Sequence, residues 1–225
     1  MKALFKRYVF SLLSNPLSYI VCVASCLYFS FDFFAAGRFF SSAGTTDMRA
    51  FFASIPKACV LAVPALAAAL PSWNKDLGLP YGEWTPVFAR ILSVLAVLSV
   101  PLVLSCAIPV AASFFGDVEC AQVLCGYLGI CLYLICAASL CVFALSFFKS
   151  GAAAFPVCAL FLAAANYAHL LPLYVRLPSF ASSFLRSISF AWRFDTFGKG
   201  IIDSRDVLFY AAVSGLLYLF SVCVQ

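Results

Sequence analysis

The sequence predicts an all-α integral membrane protein: six transmembrane helices, an N-terminal amphipathic interfacial helix and a re-entrant element before the last span. Three observations carry this. Hydrophobic residues make up 65% of the 225-residue chain and charged residues 10%, a membrane composition that leaves little chain for a separate water-exposed domain. Apolar runs of about 20 residues, enough to cross about 30 Å of hydrocarbon, recur with short polar segments between them. The net charge of +5 is dispersed over those segments with no polybasic stripe, so it reads as interfacial anchoring rather than nucleic-acid binding.

Residues 1–15 set Lys2, Lys6 and Arg7 among Leu4, Phe5, Tyr8, Val9 and Leu12, an imperfect amphipathic helix suited to the inner leaflet. A signal peptide fits less well, because the apolar region is short and Asn15-Pro16 follows with no small-x-small cleavage site behind it. Span 1 covers about 17–36. Asp32, near its outer end, is either a functional intramembrane carboxylate or, the favoured reading, an interfacial residue close to Arg38. A polar loop over 37–54 leads to span 2, about 55–73, where Pro56 and Pro64 predict a bent helix of small residues that packs closely.

Span 3, about 87–115, carries Pro101 and Pro109 and is long enough to tilt or bend. The acidic turn Gly116-Asp117-Val118-Glu119 suits the outer side, and span 4 follows over about 120–148 with Gly126 and Gly129 placed for close helix approach. Lys149-Ser150-Gly151 turns the chain into span 5, about 152–175, which holds Asn166 and the lone His169. Without a second histidine or a carboxylate nearby in sequence, His169 reads as a hydrogen-bonded packing residue rather than a proton relay. After Pro172 and Pro178, residues 188–206 mix Phe190, Trp192, Phe194 and Phe197 with six charges and two glycines, an interfacial composition. Asp203 is placed to cap span 6, about 207–224, with Asp206 in the first turn where negative charge favours a helix N-terminus.

An even number of spans puts both termini on one side. Positive residues divide as Lys2, Lys6, Arg7, Lys75, Arg90 and Lys149 on the side of the termini, against Arg38, Arg49, Lys57, Arg176, Arg186, Arg193, Lys199 and Arg205 on the other. The short segments decide in favour of cytoplasmic termini, with three positives at the N-terminus and none in the Gly116 turn.

The residue inventory is poor in reactive groups. Eleven cysteines lie mostly inside apolar runs, where Cys acts as a small hydrophobe, and no CxxC pair occurs. One histidine cannot supply a paired-histidine metal site, and no phosphate-binding glycine loop is present. The expectation is a non-catalytic membrane subunit with no cofactor and no metal.

Several stretches, taken together, carry a resemblance. The most specific is Phe194-Asp195-Thr196-Phe197-Gly198-Lys199-Gly200-Ile201-Ile202-Asp203-Ser204-Arg205-Asp206-Val207. With it stand Ser14-Asn15-Pro16-Leu17-Ser18-Tyr19, Val63-Pro64-Ala65-Leu66, Leu79-Pro80-Tyr81-Gly82-Glu83-Trp84 and Gly126-Tyr127-Leu128-Gly129. In that order they resemble the type-2 ABC exporter permeases, in particular the gliding-motility-associated branch. The resemblance implies a single transmembrane domain over 1–225 in the cell (inner) membrane, forming half of a translocation pathway as a homodimer or with a second permease. It also implies a separate ABC ATP-binding subunit docked on a cytoplasmic coupling loop, here Trp73, Asn74, Lys75, Asp76, Tyr81, Glu83 and Trp84. An outer gate would be made by the re-entrant element with Phe194, Asp195, Gly198, Lys199, Gly200, Asp203, Arg205 and Asp206. The first half of the loop departs from the family, with Trp73-Asn74-Lys75-Asp76-Leu77-Gly78 in place of a longer acidic and basic run. Two other readings stand beside it: a stand-alone secondary transporter or channel, built on Asp32, Asn166 and His169, and a membrane scaffold that transports nothing.

Overall fold

A computed structural model of the chain describes residues 2–36, 48–71, 84–114, 116, 118–148, 150–174 and 179–224. Helix α1 (Lys2–Leu13) buries Leu4, Tyr8 and Leu12, one face at i, i+4 and i+8, while Phe10 and Leu13 stay exposed. Helix α2 (Pro16–Phe31) starts where Asn15 accepts from the Leu17 N–H at 3.1 Å and Pro16 supplies a preset first turn. It ends in a π-helical turn, Asp32–Ala36.

Helix α3 (Arg49–Ala68) begins six residues before the span expected from residue 55. Part of the predicted polar loop is therefore helix. Phe51, Phe52 and Ile55 are fully buried on it, and Pro56 lies in its interior rather than in its first turn. Helices α4 (Trp84–Ser105) and α5 (Ala107–Ser113) make one apolar run, Trp84–Ser113, interrupted at Cys106. Pro109 explains the break, since it has no N–H for the Ser105 carbonyl four residues back. Pro101 frees the Val97 carbonyl in the same way, and the Cys22 thiol of α2 approaches that oxygen at 3.9 Å.

Helix α6 (Cys120–Leu145) is followed by α7 (Gly151–Tyr167), whose first turn is capped by Ser150 accepting from the Ala153 N–H at 3.4 Å. A 3-10 turn, Ala168–Leu170, and the short α8 (Leu171–Tyr174) close that segment. Then come α9 (Ser179–Ile188), α10 (Phe190–Gly198) and α11 (Ser204–Cys223).

Among the described residues, six helical segments are long and apolar enough to cross a membrane: Pro16–Phe34, Arg49–Ala68, Trp84–Ser113, Cys120–Leu145, Gly151–Leu170 and Ser204–Cys223. The chain is an all-α membrane protein built around α6, the most buried of the six, which touches α3, α4, α7, α10 and α11. Two glycines let it do so. A Cβ on Gly126 would stand 2.2 Å from the Phe52 ring, and one on Gly129 would stand 2.6 Å from Cβ of Phe197.

The bundle has two distinct poles. At one, the Arg90 guanidinium lies 5.2 Å over the Tyr8 ring, and Tyr218 donates to the Trp84 carbonyl at 3.0 Å. Helix α1 and the end of α11 therefore both sit beside the start of α4. The opposite pole gathers the start of α3, the end of α7, helices α9 and α10, and the start of α11.

Candidate functional site

The second pole holds the candidate site, and α10 is its centrepiece. Phe190, Phe194 and Phe197, at i, i+4 and i+7, form its buried face. Phe194 packs at 5.8 Å from the Tyr133 ring of α6, and Phe190 and Phe197 at 6.2 and 6.4 Å from the Tyr210 ring of α11. The Tyr210 hydroxyl donates to the Phe190 carbonyl at 2.8 Å, and the Gln122 amide of α6 donates to the Gly198 carbonyl at 2.9 Å. Both ends of this nine-residue helix are thus pinned to neighbouring spans.

Its exit is a Schellman turn. Gly200 takes φ +79, its N–H bonds the Phe197 carbonyl at 2.9 Å, and the Ile201 N–H reaches the Thr196 carbonyl at 3.2 Å. Asp203 then caps α11, accepting from the Arg205 N–H at 2.9 Å. The phrase from Phe194 to Asp206 is one continuous device: a helix end, a left-handed glycine, a cap and the first turn of a span.

Two ionic clusters hold the device in place. Asp195 takes a two-pronged bond from Arg49 of α3, Nε to Oδ1 at 3.1 Å and Nη2 to Oδ2 at 2.9 Å, and Lys199 sits 2.7 Å from Oδ2. Partial burial acts to raise the Asp195 carboxyl, but the Arg49 and Lys199 hydrogen bonds and charges outweigh it and hold the group below its ordinary 3.8. Deeper in, Arg193 bonds Asp206 Oδ1 at 2.6 Å and the Ser187 carbonyl at 2.6 Å, and its guanidinium covers the Phe209 ring at 4.1 Å.

A buried polar network ties the same region to α7. The Tyr133 hydroxyl and the Asn166 amide exchange hydrogen bonds at 3.1 and 2.8 Å. Ser189, fully buried between α9 and α10, donates to the Asn166 carbonyl at 2.7 Å, and His169 Nδ1 lies 2.8 Å from the Ser189 hydroxyl and 3.0 Å from that same carbonyl. With the serine proton given to the carbonyl, Nδ1 is the donor to the serine oxygen, which fixes the orientation of the ring. The sequence reads His169 as a hydrogen-bonded packing residue, and the structure gives it such bonds. Its partner is Ser189, which orients the ring and is not set up to attack anything, because its proton is directed away from the imidazole.

Between α3, α7 and α10 lies a cavity of about 360 Å³, lined among others by Arg49, Lys57, His169, Trp192, Phe194 and Asp195. Of the expected outer-element residues, Phe194, Asp195 and Gly198 line this cavity, Lys199 and Gly200 end α10, and Asp203, Arg205 and Asp206 open α11. Trp73, Asn74, Lys75, Asp76, Tyr81 and Glu83 of the expected coupling loop lie outside the described residues, as does Arg38, the expected neighbour of Asp32. Trp84, the last residue of that loop, is the first of α4 and is half-exposed, with its ring 5.8 Å from that of Tyr218.

Sequence reasoning did not single out Arg49, Lys57, Tyr133 or Ser189 as site residues. For the first two, the apolar spacing of Phe51, Phe52 and Ile55 marks the earlier start of the helix. For Tyr133 and Ser189 nothing local marks the partnership, since the bonds join residues 33 and 23 positions apart.

This fold and site define a multi-pass, all-α membrane protein with a pinned short-helix element at the pole opposite its termini. No protein-family model, no curated protein and no solved structure matches the chain.

Proposed function

We propose that this chain is the permease subunit of an ABC exporter in the cell membrane, forming half of a translocation pathway. A separate ATP-binding subunit would drive it through the 73–84 connection. On this reading both termini are cytoplasmic, a second permease subunit completes the pathway, and α9, α10 and the start of α11 form the outer gate. One observation carries the reading. The stretch with the most specific resemblance, Phe194 to Val207, joins the end of α10 to the start of α11, and α10 is clamped to α3, α6, α7 and α11 at the pole away from α1 and the start of α4. A gate element needs such placement, gripped by several spans yet joined to them largely by side-chain contacts.

The stand-alone carrier reading loses part of its warrant, because Asn166 and His169 are engaged with Tyr133 and Ser189. The test is co-purification from native membranes followed by nucleotide hydrolysis in nanodiscs. An ATP-binding subunit should accompany the chain, and Gly198→Leu should slow nucleotide hydrolysis while the partner still binds nucleotide. Solute movement by the isolated chain without nucleotide, or loss of nucleotide binding in Gly198→Leu, contradicts the assignment.

A further inference from the structure

Lys57 is a charge inside a spanning helix that the ion pairs described above do not explain. It lies eight residues into α3 from Arg49, about 12 Å along the helix axis. Its side chain is exposed, and no hydrogen bond or ion pair joins it to any other described residue. An ammonium that far inside a spanning segment is costly, and such residues mark ligand or ion positions when they are retained.

Two concave surfaces meet at this lysine. On one side is the 360 Å³ cavity between α3, α7 and α10. The α3 wall of that cavity is the stripe Arg49, Phe52, Ala53, Pro56 and Lys57, at i, i+3, i+4, i+7 and i+8. Among its described lining residues the one carboxylate is Asp195, which Arg49 and Lys199 match, so Lys57 adds a further positive charge to that lining. His169, in the turn after α7, lines the same cavity. On the other side is a groove of about 370 Å³ between α2, α3 and α7, lined by apolar side chains including Val21, Leu61, Ala62 and Phe155, with Lys57 at its edge. Leu61 is well exposed there, so the groove opens laterally to the surface that lipid covers.

We propose that the cavity and the groove are one binding site for an acidic phospholipid, with the phosphate in the cavity against Lys57 and an acyl chain along the α2–α3–α7 groove. Charge complementarity selects the headgroup, and the apolar groove sharing Lys57 selects a membrane lipid over a free anion. Trp192, with the Arg186 guanidinium 5.3 Å over its ring, adds an amphipathic wall to the cavity. The site needs no ATPase partner, so it stands or falls apart from the exporter assignment.

The test uses the purified full chain in a zwitterionic nanodisc, titrated with phosphatidylglycerol and read by native mass spectrometry and by displacement of a fluorescent acyl analogue. Phosphatidylglycerol should bind at least tenfold more tightly than phosphatidylcholine. Lys57→Leu should abolish that preference, and Lys57→Arg should restore most of it. Ala24→Phe, at an exposed position lining the groove, should weaken both lipids without altering the melting temperature. The proposal is overturned if Lys57→Leu retains the acidic-lipid preference, if Ala24→Phe binds as the parent does, or if inorganic phosphate at millimolar concentration displaces the lipid completely. That last outcome would make the site one for a soluble anion.

Discussion

Asp195 and Asp206 lie on opposite sides of the same glycine turn and do different work. Asp206 is largely buried and shares Arg193 with a backbone carbonyl and an aromatic face, so removing it strands a guanidinium in a poor solvent. Breaking a buried pair from one side costs about 3–5 kcal/mol, whereas an exposed pair contributes about 1 kcal/mol or less. Asp206→Ala should therefore destabilise the protein several-fold more than Asp195→Ala, as read from denaturant unfolding in micelles. Equal effects would show that the Arg193 contact is not the stronger clamp. The Asp195 contact carries its own pH signature. Because the carboxyl is lowered in the folded state, its contribution is complete above 3.8 and is lost as pH falls through the lowered value. Between pH 7 and 5 the α3–α10 clamp should not change, and Asp195→Asn should flatten whatever stability loss appears in stronger acid.

At the scale of elements, α6 is a helix whose neighbours reach it through missing side chains. Gly129→Val puts a side chain where Phe197 stands, and overpacking of this kind costs about 1–3 kcal/mol. Gly215 of α11 has nothing within 4 Å of its would-be Cβ, so Gly215→Ala should be neutral or raise stability by up to about 1 kcal/mol. Thermal unfolding of the two variants side by side checks this, and a harmless Gly129→Val would mean that α10 is not held against α6. These features were legible beforehand to different degrees. The Gly126 and Gly129 spacing announced a close approach, and Asp203 announced a cap, because each rule depends on a few consecutive residues. The start of α3 was marked only by the spacing of Phe51, Phe52 and Ile55, and Pro56 argued against it. Proline near the head of an apolar run usually marks the first turn of a helix, and here Pro56 follows two turns that Phe51 and Phe52 stabilise by burial in the bundle. That displacement carried Lys57 from the expected rim into the span. The bond between His169 and Ser189 joins separate elements across two proline positions, and no periodicity reports it.

At the scale of the whole molecule, the six spans return the chain to the pole where it began, with Tyr8 and Tyr218 meeting α4 within two turns of each other. In sealed vesicles, a membrane-impermeant thiol reagent should label Ser14→Cys and Ser204→Cys from opposite faces, tested on a cysteine-free background. Labelling of both from one face would overturn the six-span arrangement. The placement of α6 also has a consequence for how the protein is made. Gln122 forms its bond with Gly198 across 76 residues of chain, so at ordinary translation speeds that partner leaves the ribosome about 4–15 s later. The hub of the molecule is threaded into lipid before the pieces that complete it exist. An insertase or chaperone that shelters half-built bundles would act in that interval, and a stop codon after α7 would leave a product marked for degradation.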